Sequence, residues 1–288
     1  MLSRGPKAGP RLSMTPSHEH DRRDDTRKIP HKSQDFLVEH VSEPEQKPEL
    51  RSFPCGLGEC YVNFRGFVSR PEKDLVRAEI LKINNEKPEP SLVAYAAEQI
   101  KSGQVLGMPT DTFYGLAADP FNLRAVERVY EIKSRSRHKP LSLLIESEEQ
   151  AEMLAREPLP DEFFELARKF WPGPLTVIVP AASRLPLKVT ANTGNVALRI
   201  PSANIPLAVI RAAGVPITAT SANLSGASEC TTATAVRDQL QDSINIIVDG
   251  GPSPRVVAST IVDLSEGGWR VLRQGAIPRQ EIADVLGE

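Results

Sequence analysis

Four stretches of this 288-residue chain gather polar side chains of the kind that hold a phosphorylated substrate. The first, Pro109-Thr110-Asp111-Thr112-Phe113-Tyr114-Gly115-Leu116, sets two hydroxyls and a carboxylate directly after a short apolar run. A Ser/Thr or Asx turn that satisfies its own backbone would use the same residues. The second, Lys133-Ser134-Arg135-Ser136-Arg137-His138-Lys139-Pro140, carries five basic or protonatable side chains in seven positions. Lys and Arg converging on one point suit a polyphosphate, and at a helix C-terminus they also complement the dipole. The third, Thr218-Ala219-Thr220-Ser221-Ala222-Asn223-Leu224-Ser225-Gly226, offers four hydroxyls and an amide among residues small enough to let a ligand reach the backbone. The fourth is scattered: Arg199 before Pro201, the pair Ser259-Thr260, and Arg273. A G-x-x-x-x-G-K-[ST] phosphate loop is absent, as is a Ser-His-Asp set or a carboxylate pair.

The elements that must position these clusters alternate in type. Ala78–Ile83, Val105–Met108, Leu141–Ile145, Leu175–Val179, Val196–Ile200, Ile217–Thr220, Ile244–Val248, Thr260–Asp263 and Trp269–Leu272 read as strands. Helices lie between or after them. One is capped by Ser91 and ends at Gly103, one is capped by Asn122, and one opens with a Ser147/Gln150 capping box. Further helices cover Asp161–Phe170, Ile205–Ala213, Thr232–Leu240 and Pro278–Leu286. This order predicts a single α/β domain over 76–288 with a large sheet. Each cluster falls just beyond a predicted strand, where open α/β sheets bind ligands.

Residues 1–75 read differently. Four of the five histidines lie there among prolines and mixed charge, and no period survives before Phe53. The segment is expected to be a disordered extension, with Tyr61 to Val68 as its one strand-like stretch. Its histidines fit no zinc spacing, and Cys55 and Cys60 lack a second pair, so no protein-held metal is expected. Three cysteines in all imply a reducing compartment. Missing also are an apolar run of about 20 residues and a signal-peptide core at the start. A cytoplasmic enzyme is the expectation. The net charge of -2 argues against a polybasic binder, and from Val76 onward 22 Lys plus Arg face 25 Asp plus Glu.

Taken together, the motifs resemble the YrdC-like family, the threonylcarbamoyl-AMP synthases, from Val76 to Glu288. Pro-Thr-Asp-Thr-x-Tyr-Gly-Leu, Lys-x-Arg with a later Pro-Leu, Val-x-x-Arg-x-Pro, Thr-Ser-Ala-Asn-x-Ser-Gly and Ser-Thr-Ile-Val-Asp-Leu occur in the family's order. The resemblance implies a twisted, mostly open mixed sheet flanked by helices; it does not reach the extension, nor does it include the extra C-terminal domain of longer members. It implies formation of L-threonylcarbamoyladenylate and pyrophosphate from L-threonine, bicarbonate and ATP, with Mg²⁺ on the nucleotide. That product would feed tRNA N6-threonylcarbamoyladenosine through a downstream threonylcarbamoyl-transferase complex.

By the same resemblance Lys133, Arg135, Ser221 and Asn223 form a catalytic set. Thr112, Arg199, Ala219 and Ser259 meet L-threonine. Arg135, Lys139, Asn195, Ser221 and Arg273 meet ATP. Leu144 stands where many members carry His, and Asn195 where several carry Thr. A competing expectation is a non-catalytic YrdC-like module that binds double-stranded RNA or tRNA through a concave basic face.

Overall fold

The computed structural model describes residues 51–55, 58–62, 68–69, 78–254 and 257–287. The chain divides into two compact units, 1–69 and 70–288. The first contains an antiparallel sheet of β1 (Arg51–Cys55), β2 (Gly58–Val62) and β3 (Val68–Ser69), with Phe53 opposite Cys60. The sequence expects no order there beyond a strand in Tyr61 to Val68. The pairing supplies three short strands, and the remainder of the extension lies outside the described residues.

The second unit is built on two sheets. One has the order β11 (Thr220–Ser221), β6 (Gly115–Ala117), β5 (Leu106–Met108), β12 (Ile246–Asp249), β4 (Glu79–Lys82). The other runs β10 (Ile217–Thr218), β7 (Ser142–Leu144), β9 (Asn195–Arg199), β8 (Leu175–Pro180), β13 (Thr260–Asp263), β14 (Arg270–Arg273). Both mix parallel and antiparallel pairs. The single strand expected over Ile217–Thr220 belongs to both. Its first half pairs with β7, its second with β6, and Ala219 N–H donates to the Ser142 carbonyl at the switch. That switch brings the third sequence cluster to the junction of the two sheets.

Helix ends follow local chemistry. Helix α1 (Pro90–Lys101) begins one residue before the expected Ser91 cap, because Pro90 presets the first-turn φ and lacks only an N–H that has no intrahelical partner. Asn122 caps α2 (Leu123–Lys133) by accepting from Arg124 and Ala125 N–H, and Ser147 caps α3 (Glu148–Leu154) by accepting from Gln150 N–H. The remaining helices are α4 (Asp161–Phe170), α5 (Leu187–Thr190), α6 (Asn204–Ala213), α7 (Ala233–Leu240) and α8 (Arg279–Leu286). The short α5 was not expected. Its four residues are too few for a helical period to show.

Two apolar clusters hold the unit together. Helices α1 and α6 bury Val93, Ile100, Ile205 and Val209 against Leu106 and Val248. On the six-stranded sheet, Leu143, Val177, Leu198 and Val262 face a core with Phe163 and Leu166. Each is fully buried, which stabilises the fold by about 1.5–3 kcal/mol per side chain. Their strand neighbours face the other way. Those neighbours make the site.

Candidate active site

The outward residues of four strands floor a cavity of about 360 Å³: Ser142 and Leu144, Thr176 and Ile178, Ala197 and Arg199, Ser259 and Ile261. The register sets Ser142 beside Ala197 and Ala197 beside Ile178, so small side chains leave the space open. Sequence reasoning looks for a ligand beyond the strand ends. The cavity floor instead lies on the sheet face itself, because this face intersperses Ser142, Thr176 and Ala197 among its larger residues where the other presents Leu and Val. The walls come from the remaining clusters: Thr110 with Thr112 to Gly115, Arg135 with Lys139, Ala219 to Ser221, and Arg273. Four segments far apart in sequence meet in one place.

Arg199, at the end of β9, is 6% exposed and held on several sides. Its Nη2 lies 2.6 Å from Asp111 Oδ1, Nη1 donates to Thr112 Oγ1 at 3.1 Å, and Nε donates to the Gly173 carbonyl at 2.9 Å. Position 173 requires glycine, since a Cβ there would collide with the Phe170 carbonyl. Asp111 itself does not line the cavity. Sequence reasoning placed it on a turn without a role, and only the 88-residue excursion to Arg199 reveals its partner.

Arg135 and Lys133 are two residues apart and face opposite ways. Helix α2 stops where Ser134 takes a left-handed conformation (φ 48°), which swings Arg135 out to the cavity wall. There Arg135 Nη2 donates to the Pro140 carbonyl at 3.1 Å and Nε to that of Lys139 at 3.4 Å. Lys133 stays in the last helical turn, 2% exposed. Its Nζ donates to the Ser221 carbonyl and, at 2.9 Å, to both the carbonyl and Oδ1 of Asn223. The Ser221 hydroxyl donates to the same Oδ1 at 2.6 Å, and Asn223 Nδ2 to the Ala227 carbonyl at 2.6 Å. Burial first, and the Arg135 charge second, bring Lys133 down from an ordinary 10.5 to about 8, while Glu229 opposes the shift. The expected pairing of Lys133 with Arg135 as one phosphate clamp therefore splits. Lys133 and Asn223 lie behind the wall and brace Ser221, because three protein acceptors already surround the ammonium.

Arg273 closes the far wall. Its Nε and Nη2 donate to the Ser259 carbonyl, and Nη2 also to Ser259 Oγ at 3.0 Å, while that hydroxyl contacts Thr176 Oγ1 at 2.9 Å. Burial lowers the pKa of both Arg135 and Arg273 from its ordinary value; Glu229, at the cavity edge, opposes this for Arg273. Asn195 does not reach the cavity. It opens β9 opposite Pro180, about 13 Å along the strand from Arg199. His138 is exposed and lies beside a second, separate hollow of about 310 Å³ with Tyr130 and Leu187. Cys230, fully buried next to Lys133, is a free thiol whose pKa is raised by burial.

The arrangement is that of an α/β protein with a polar, cation-walled cavity on the face of a mixed sheet, suited to an anionic ligand with several phosphates. Residues 98–275 match the Sua5/YciO/YrdC family model, which carries the description "Telomere recombination". The chain belongs to this family. It is 40% identical over 203 residues to the threonylcarbamoyl-AMP synthase of Pyrococcus abyssi, a match covering 70% of this chain and 59% of that one. The Bacillus subtilis protein of the same name is 40% identical over 196 residues, covering 68% and 56%. The chain thus spans less than two thirds of these two longer relatives, while the Aliivibrio fischeri synthase, 37% identical, is covered over 96% of its length.

Among solved structures, P. abyssi Sua5 complexed with L-threonine superposes with a TM-score of 0.71 at 39% identity, covering 73% of this chain and 62% of that one. Escherichia coli YciO, at 23% identity and TM-score 0.65, shares the fold. Among the described residues no helix is long and apolar enough to cross a membrane.

Proposed function

We propose that this protein is an L-threonylcarbamoyladenylate synthase, joining L-threonine, bicarbonate and ATP with release of pyrophosphate. The observation that carries the reading is the convergence of Thr112, Arg135, Lys139, Arg199, Ala219, Ser221, Ser259 and Arg273 on one cavity. Relatives that bear the name of this activity supply its chemical class. Threonine's amine is carboxylated by bicarbonate to a carbamate with loss of water, and a carbamate oxygen then attacks the α-phosphorus of ATP. A new P–O bond forms as the bond to pyrophosphate breaks. Such a transfer asks the protein for alignment and for charge neutralisation on the phosphate oxygens. Arg135, Lys139 and Arg273 supply positive charge, and Ser221 a hydroxyl. Arg199 and Thr112 receive the amino acid.

Glu229 is the single carboxylate among the cavity-lining residues, and no group of three or more His, Cys, Asp or Glu able to hold a metal occurs among the described residues. A Mg²⁺ ion would accordingly be held by the phosphates and water, where it would offset triphosphate charge. The product is of use to a tRNA-modifying threonylcarbamoyl transferase in the same compartment, which for this chain we take to be the cytoplasm. Pyrophosphate release that requires ATP, L-threonine and bicarbonate together, with the adenylate detected by mass spectrometry, tests the reading. Release that ignores threonine would refute it.

A further inference from the structure

The hydrogen bonds around Arg199 have a fixed direction. Thr110 Oγ1 lies 2.6 Å from the Phe113 carbonyl, an atom that only accepts, so the Thr110 proton is committed there. The 3.1 Å contact between the Thr110 and Thr112 hydroxyls then takes its proton from Thr112. Thr112 Oγ1 in turn accepts from Arg199 Nη1, whose guanidinium is pinned from the other side by Asp111. Donation therefore runs from Arg199 to Thr112, to Thr110, to the Phe113 carbonyl. Thr112, which lines the cavity, has given up its proton and faces a ligand as an acceptor. An acceptor welcomes an N–H and disfavours a carboxylate oxygen. Asp111 is 4% exposed and outside the cavity lining, so it touches no ligand itself. Its formal charge matches that of Arg199, and its place is behind the guanidinium.

We infer, on the reading of the site given above, that Asp111 is the positioning residue for amino-acid binding. It aims Arg199 at the substrate carboxylate and, through Arg199, fixes Thr112 as the acceptor for the substrate's α-amine. Neither group can take the other's place. The site thereby distinguishes the two ends of an α-amino acid.

Calorimetric titration of L-threonine into the full-length protein, with steady-state KM values beside it, tests this. Asp111→Ala should weaken threonine about tenfold or more, through loss of the buried ion pair that holds the guanidinium, and leave the ATP KM within about twofold. Asp111→Asn keeps an oxygen where Nη2 needs one and should recover most of that loss. Should Asp111→Ala fail to fold, Thr110→Val addresses the direction of the chain with the ion pair intact. Freed from Thr110, the Thr112 proton can turn toward the ligand, and threonine binding should weaken about threefold or more. The inference is overturned if wild type binds threonine and a folded Asp111→Ala binds it equally well, or, where Asp111→Ala does not fold, if Thr110→Val binds it equally well. Equal loss for threonine and ATP would also overturn it, as general loosening. A wild-type protein that binds no threonine at all overturns the functional reading along with it.

Discussion

Two corners of the cavity aim guanidinium groups at the same space by opposite means. Arg199 is backed by a buried carboxylate 2.6 Å away, so its charge is largely offset and its orientation is what remains. Arg135 and Arg273 are anchored on neutral acceptors, the carbonyls of Lys139, Pro140 and Ser259 and one serine hydroxyl, so their hydrogen bonds add no negative charge, and Glu229 acts on Arg273 only from the cavity edge. A single carboxylate is recognised well by a fixed, bidentate fork with modest net charge. A triphosphate carries several charges and needs positive potential more than exact angles. On this contrast we propose the amino acid at the Arg199 corner and the nucleotide phosphates at the Arg135–Arg273 wall.

The largest effect should come from breaking the neutrally anchored side. On that proposal Arg135→Ala removes charge beside the reacting phosphoryl group, and a loss in kcat/KM on the order of 10²-fold or more is expected. Pyrophosphate-release kinetics on a variant with an unchanged circular dichroism spectrum would measure it. An effect below about fivefold would move the reacting phosphate away from this wall.

Lys133 offers a sharper separation, because its ammonium is taken up by Ser221 and Asn223. With a folded pKa of about 8 against an ordinary 10.5, it binds fewer protons than the unfolded chain between those values. Burying the ammonium costs most below pH 8, and stability should rise as pH climbs from about 8 toward 10.5. Activity should fall over the lower part of the same range, since a neutral amine has two N–H groups for three acceptors around Ser221 and Asn223. Urea melts and initial rates across this pH range, compared with Lys133→Met, would show the two trends crossing. The variant should lack both trends.

How far the sequence carried depended on how local each signal was. Caps at Asn122 and Ser147, the Gly103 helix stop and most strands rest on neighbours within a turn, and they were readable. The direction of Lys133 was not. It is decided by a strand that changes sheets at Ala219 and delivers Ser221 and Asn223 from about 90 positions away. Asp111 stayed hidden for the same reason: its partner is distant, and a carboxylate in a turn has a sufficient local explanation. The cavity's place on a sheet face was open to a period-2 reading of Ala197 and Arg199 against Val196, Leu198 and Ile200. The strand-end rule for open sheets drew attention away from it.

The smallest effect should come from the extension. No motif of the site lies before residue 76, so a chain beginning at Asp74 should keep its catalytic rate within about twofold, measured by the same pyrophosphate assay. A large loss would bring the β1–β3 sheet into the account of activity.

The division of labour between the two corners is tested most directly by one matrix of constants: KM for threonine and for ATP in Arg199→Lys and in Arg273→Ala. Arg199→Lys keeps the charge and loses the fork, so threonine KM should rise about tenfold or more while ATP KM stays near wild type. Arg273→Ala removes charge from the other wall and should do the reverse. If both variants raise both constants together, the two corners do not serve separate substrates and the account is wrong.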